Sequence, residues 1–206
     1  MQKFTNKSPS KPSSEEGGST EVPLKTLELA HLKPEDKEQL LSGKAVVLFH
    51  TAPGCAVEIS AYVVADASLE CVWNLLTDYE NLPKVVPDMA ECTLLGTQNG
   101  DRILRQAARV SDGLNLSMSV TLAVKEEPPN RIFFRRIDGD LKRFEGSWHL
   151  MPINQSRVLM AYEVLVQPLF WIPCWAVKHR LRKEIPRLMH ALADEAARRN
   201  GKPGKS

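Results

Sequence analysis

The side chains best suited to do chemistry are few, and most lie on strand-like stretches. Tyr162 shares the two-residue phase of Val158, Met160 and Val164, so a phenol stands on an otherwise apolar face. Such a hydroxyl either holds a ligand carbonyl or is satisfied inside a core. Gln106 lies between Leu104 and Ala108 in the same manner, and a buried amide needs partners, of which a polar ligand head would be one. Trp148 alternates with Phe144, Gly146 and Leu150, which suits a cavity wall and plain core packing equally. Arg136 shares the phase of Ile132 and Phe134. Turned inward it needs a carboxylate such as Glu163 or an anionic ligand group, and the outward orientation is the preferred reading. Arg105 and Arg109 have the opposite phase to Gln106 and are read as solvated.

Other chemistries find no footing. The histidines are His31, His50, His149, His179 and His190, and none has metal-like spacing to a second ligand. No GxSxG, HExxH, P-loop or GxGxxG string occurs, so no metal, cofactor or catalytic set is expected. Asp78 and Glu80 read as a helix N-terminus rather than an acid/base pair. Cys55, Cys71, Cys92 and Cys174 are separated by 16, 21 and 82 positions, with no CxxC pair. They are expected as buried or incidental thiols in a reducing compartment, not as a disulfide framework.

The chain has 206 residues, 43% hydrophobic and 25% charged, enough for one domain with a real core. Lys and Arg total 27 against 25 Asp and Glu, a net of +2. That balance makes no case for nucleic acid and excludes a mostly disordered chain. No apolar run approaches the roughly 18 residues of a membrane span. The first residues lack the apolar core of a secretory signal. The expectation is a cytoplasmic protein, with peripheral membrane contact as an addition to it.

These side chains need elements to position them. Residues 1–22 are Ser, Pro, Lys, Glu and Gly with little to bury, and read as a disordered tail. Residues 23–54 read as an extension with a two-turn helix opening at Pro34, stopped by Gly43, and an edge strand in AVVLFHT. From Cys55 the chain alternates as a strand, then switches to helical spacing over DASLECVWNLL, capped by Asp66 or Ser68. Asp78 caps a second short helix ended by Pro83 and Pro87. Six strands follow, near 89–98, 102–111, 114–126, 130–138, 143–152 and 156–167, joined by hairpin signals such as Asn99-Gly100 and Asp138-Gly139. A helix over about 174–199 carries an apolar stripe of Val177, Leu181, Ile185, Leu188, Leu192 and Ala196. One amphipathic helix over a curved antiparallel sheet leaves room between them. Residues 200–206 read as a basic tail.

The stretch DASLECVWNLLTDYENLPKVVP, 66–87, resembles the START-like polyketide cyclase/dehydrase superfamily, and within it the coenzyme-Q-binding START-type proteins and their cyanobacterial and plastid relatives. Glu127-Pro128-Pro129-Asn130-Arg131-Ile132, Gly139-Asp140, Phe144-Glu145-Gly146-Ser147-Trp148 and the segment 168–173 match as well, for coverage of about 55–198. The resemblance implies an α+β helix-grip fold over 55–199, with a hydrophobic cavity for lipids, isoprenoid quinones, sterols or polyketides. It implies no shared catalytic set.

The expected cavity lining is Leu82, Leu104, Gln106, Met118, Phe134, Trp148, Met160, Tyr162, Trp175, Leu181 and Ile185. Phe170 and Trp171, in PLFWIPCWAV, are expected in a lid or membrane-touching loop, with packing under the helix start as the alternative. Residues 170–206 hold nine Lys/Arg against three Asp/Glu, a net of +6, whereas 55–169 hold eleven against fifteen, a net of −4. This polarity suits an anionic membrane surface, or simply a solvated helix face. The expected partner is a hydrophobic small molecule, with no nucleic acid. The expected function is to bind, and to carry or present, such a molecule. The alternatives are an aromatase/cyclase built on Tyr162, Gln106 and Arg136, and a ribosome-associated interaction protein.

Overall fold

The computed structural model describes residues 32–111, 115–169 and 173–201. Eight strands form one antiparallel sheet: β1 (Val46–Ala52), β2 (Ala56–Ala65), β3 (Met89–Gln98), β4 (Asp101–Ser111), β5 (Asn115–Glu127), β6 (Arg131–Gly139), β7 (Leu141–Asn154) and β8 (Arg157–Pro168). Their order is β1-β2-β8-β7-β6-β5-β4-β3. The crossover from β2 past five strands to β3 contains α2 (Leu69–Thr77) and a 3-10 segment, Tyr79–Lys84. The helix α1 (Pro34–Leu41) precedes the sheet, and α3 (Cys174–Arg199) closes the chain. This curved sheet gripping a long C-terminal helix is the helix-grip fold.

Local chemistry explains the switch from strand to helix after β2. Ser68 is the N-cap of α2, and its hydroxyl accepts from the Cys71 amide at 3.2 Å. Asp78 does not cap the next segment with its side chain; its carboxylate accepts from the Asn81 amide group instead. Val72, Leu75 and Leu76 turn the buried face of α2 toward the sheet.

The two sheet faces carry different cores. The concave face packs Val57, Ile59, Ala61 and Val63 of β2 and Val158 and Met160 of β8 against Met189, Leu192 and Ala196 of α3. Behind β1, β2 and β8 a second cluster joins Leu40 of α1 to Val46, Tyr62, Leu159 and Ala161. The N-terminal helix therefore covers the outer face of this end of the sheet. Gly139 ends β6 with φ +111°, and a Cβ there would collide with the Ser119 carbonyl of β5.

The cysteine expectation needs correction. Cys55 and Cys174 form a disulfide across 119 positions, with Cα atoms 5.1 Å apart. Only Cys71 and Cys92 are free thiols. Spacing in the chain could not show the pair, because the fold brings the β1–β2 connection to the first residue of α3. The disulfide also removes the thiol argument for a reducing compartment.

Candidate functional site

Between the concave face and α3 lies a pocket with two adjoining parts that share six lining residues. The outer part, about 420 Å³, is walled by Ala176, Val177, Leu181 and Ile185 of α3, Met118 and Val120 of β5, and Val164 and Val166 of β8. The inner part, about 180 Å³, is walled by Leu76, Tyr79, Leu82, Leu104, Leu122, Phe134, Trp148 and Leu192. Val86, Met89, Gln106, Phe144, Tyr162 and Leu188 line both and form the waist between them. The strand phase explains the convergence: inward positions of β4 to β8 alternate with wet ones, so Leu104, Gln106, Leu122, Phe134, Trp148 and Tyr162 meet on one face.

Two polar groups sit at the waist. Tyr162 is buried, its ring stacked on Trp148 with centroids 4.3 Å apart. Its hydroxyl has no hydrogen-bond partner among the described residues, and burial alone raises its pKa, so it stays protonated as a donor. Gln106 donates from Nε2 to Cys92 Sγ at 3.6 Å, a weak bond that leaves its carbonyl uncommitted. Burial pushes the Cys92 thiol up, so it too stays neutral. Tyr79 is different. Its hydroxyl donates to Glu126 Oε1 at 2.7 Å, and Glu126 pairs with Arg102 at 2.7 Å. Burial first, and that bond second, raise the Tyr79 pKa.

Charged groups stay at the outer rim, where each has a partner. Arg180 pairs with Glu184 at 2.6 Å and donates to the Arg109 carbonyl at 3.2 Å. Arg187 pairs with Asp88 at 3.3 Å. Among the described residues, no group of three His, Cys, Asp or Glu is arranged to hold a metal ion.

Residues 65–193 match the family model described as polyketide cyclase / dehydrase and lipid transport. The chain belongs to this family. A search of curated protein sequences finds no match. Among solved structures, the Zhui aromatase/cyclase from a Streptomyces species superposes with TM-score 0.62 at 14% identity, covering 70% of this chain and 95% of that one. A START superfamily protein from Mycobacterium smegmatis gives 0.61 at 22% identity, covering 68% and 97%. A STAR-related lipid transfer protein fragment from Xanthomonas axonopodis gives 0.58 at 18% identity, covering 74% and 93%. The shared property at these identities is the fold.

Within this family fold, the structure gathers Leu82, Leu104, Gln106, Met118, Phe134, Trp148, Tyr162, Leu181 and Ile185 around the pocket. Met160 is not among them. It has the right phase, but it pairs with Val63 and Leu150, and all three are fully buried in solid core. Trp175 is 73% exposed. It precedes Val177 by two residues, about 200° around the helix, so it points away from the wall that Val177 forms. Phe170 and Trp171 lie outside the described residues. Arg136 keeps the phase of Phe134 but curls back on its own strand, donating from Nη2 to the Gly139 carbonyl at 3.0 Å. Its Nε is buried without a partner among the described residues, and neither Glu163 nor full solvation satisfies it, so the solvated outward reading is corrected. Tyr79, Val86, Met89 and Phe144 were not expected in the lining. The segment LPKVVPDM has apolar residues without a period, so no face could be read from it.

Proposed function

We propose that this chain binds a neutral hydrophobic small molecule (a lipid, an isoprenoid or a quinone-like compound) in the two-part pocket, and carries or presents it at a membrane. The observation that carries the reading is the lining: a mostly apolar pocket whose charged residues stand at the outer rim, with the Tyr162 hydroxyl and the Gln106 carbonyl uncommitted at its waist. At about 25 cal/mol per Å², burying roughly 300 Å² of apolar ligand surface is worth about 7 kcal/mol before association costs. The waist groups contribute orientation more than affinity.

Presentation at a membrane is supported by the outer end of the pocket. Leu169 and Trp175 are exposed there, beside Pro168 and Ala176 of the lining. Exposed Arg182 and Lys183 follow on α3. An exposed tryptophan beside cations suits an anionic bilayer surface. No helix of the described residues is long and apolar enough to cross a membrane.

Native mass spectrometry of freshly purified protein, with solvent extraction of bound material, tests the reading. A co-purifying apolar molecule is the expected result. A delipidated protein that takes up no quinone, isoprenoid or fatty acyl probe would end it.

A further inference from the structure

The two parts of the pocket differ in chemistry, and the difference selects a ligand shape. Tyr79, Phe134 and Trp148 line only the inner part, where Phe144 and Tyr162 of the waist join them. Phe134 and Phe144 lie with centroids 5.3 Å apart, and Phe134 and Tyr162 at 6.0 Å. Among the described residues, the outer part adds no aromatic side chain to these two; its walls are mostly aliphatic, with Asp88, Ser119, Arg180 and Glu184 as its further polar residues. An apolar cavity of about 150 Å³ accepts a benzene ring, so an inner part of about 180 Å³ fits one small ring. Among the described residues, no Lys, Arg, Asp or Glu lines the inner part. A charged head placed there would lose its hydration without compensation.

We infer that the ligand is an uncharged molecule with one ring and one aliphatic chain joined at or beside a polar oxygen, bound ring-inward with that oxygen at the waist, between Tyr162 and Gln106. The inference rests on the carrier reading of the same pocket. Tyr162 supplies the donor, since its hydroxyl has no other partner among the described residues. Gln106 supplies the second polar contact, since its bond to Cys92 is long and engages a sulfur. The chain runs outward between β5, β8 and α3, where Met118, Val164, Leu181 and Ile185 offer apolar contact. The opposite pose keeps the oxygen at the waist but puts the chain among the aromatic rings of the inner part and the ring among the aliphatic side chains of the outer part.

Three probes separate the possibilities on the full chain after removal of co-purifying lipid. Nonanophenone has ring, carbonyl and chain; nonylbenzene lacks the carbonyl; decanoate lacks the ring and carries charge. The ketone is expected to bind about 5-fold more tightly than the hydrocarbon, the worth of one ordinary hydrogen bond, and decanoate more weakly than either. Tyr162→Phe keeps the stacked ring and is expected to abolish the ketone's advantage over nonylbenzene. Orientation is read in a protein whose Trp73, Trp171 and Trp175 are replaced by Phe, leaving Trp148 as the emitter. Bromine on the ring of the ketone is expected to quench it strongly, and bromine at the chain end weakly. Equal affinity for ketone and hydrocarbon, tighter binding of decanoate, or quenching only from the chain end would each overturn this inference while sparing the carrier reading. Binding of none of the three would overturn both.

Discussion

Trp148 of β7 and Tyr162 of β8 are direct cross-strand partners, and their rings stack at 4.3 Å between centroids with planes 26° apart. The pair closes the inner part of the pocket from the sheet side and leaves the Tyr162 hydroxyl beside the waist. A second buried phenol, Tyr79, faces the same space but spends its hydroxyl on Glu126.

The two tyrosines should therefore respond in opposite ways to loss of the hydroxyl. Tyr79→Phe breaks a charge-assisted bond and is expected to cost about 2 kcal/mol. Tyr162→Phe removes a buried hydroxyl that has no partner among the described residues, and is expected to be neutral or slightly stabilising in the empty protein. Urea unfolding of both variants checks this. A loss at Tyr162→Phe as large as that at Tyr79→Phe would mean that the Tyr162 hydroxyl has a partner in the empty state.

How much of this was legible in the sequence depended on period. The phases of LNLSMSVTLAV and of residues 156–167 put Met118, Leu122 and Tyr162 on one face because a strand alternates without ambiguity. The six strands after α2 and the limits of α3 follow from the same regularity and from turn residues. Three things were not legible. Met160 and Tyr162 share a face, and only the position of α3 along the sheet separates solid core from pocket. Val86 and Met89 enter the lining from an irregular segment that has no period to read. The pairing of Cys55 with Cys174 depends on where two distant connections meet in space.

That disulfide joins the β1–β2 connection to the start of α3, which forms the outer wall of the pocket. A cross-link closing a loop of this length is worth up to about 5 kcal/mol through the unfolded chain. Changing both Cys55 and Cys174 to Ser is expected to lower stability by an amount of that order. Hydrogen exchange should rise in the first two turns of α3, whose side chains are mostly half-buried, and far less near Met189 and Leu192. An unchanged melting temperature on reduction would contradict the prediction.

Gly146 lies between Phe144 and Trp148 on the concave face, opposite Val164. A Cβ there would meet the Glu163 carbonyl and, at 2.9 Å, the Val164 Cα of β8. Both are backbone atoms that cannot swing aside. Gly146→Ala must push β7 away from β8, and overpacking of this kind costs about 1–3 kcal/mol. The same displacement would disturb the Trp148–Tyr162 stack, so weaker binding of an apolar probe should accompany the loss. A variant with parental stability would show that β7 and β8 separate easily here.

The end of α3 carries a charge cluster whose effect should depend on pH. Glu195 accepts from Arg198 Nε at 2.7 Å and from Arg199 Nε at 2.9 Å, while Arg199 also reaches Asp78 at 3.2 Å, where α2 gives way to the 3-10 segment. The arginine hydrogen bonds, Arg198 first, hold the Glu195 carboxyl down at about 2. Its unfolded value lies near 4.3. A carboxylate with a depressed folded pKa stabilises the protein fully above its unfolded value, and loses that contribution as pH falls through the interval to the folded one. Glu195→Gln is therefore expected to cost about 1 kcal/mol at neutral pH, the scale of a well-formed surface cluster. The gap between variant and parent should narrow below about pH 4.5 and close near pH 2. Denaturant unfolding of both proteins across that range checks it, and a gap independent of pH would show that Glu195 acts through packing rather than charge.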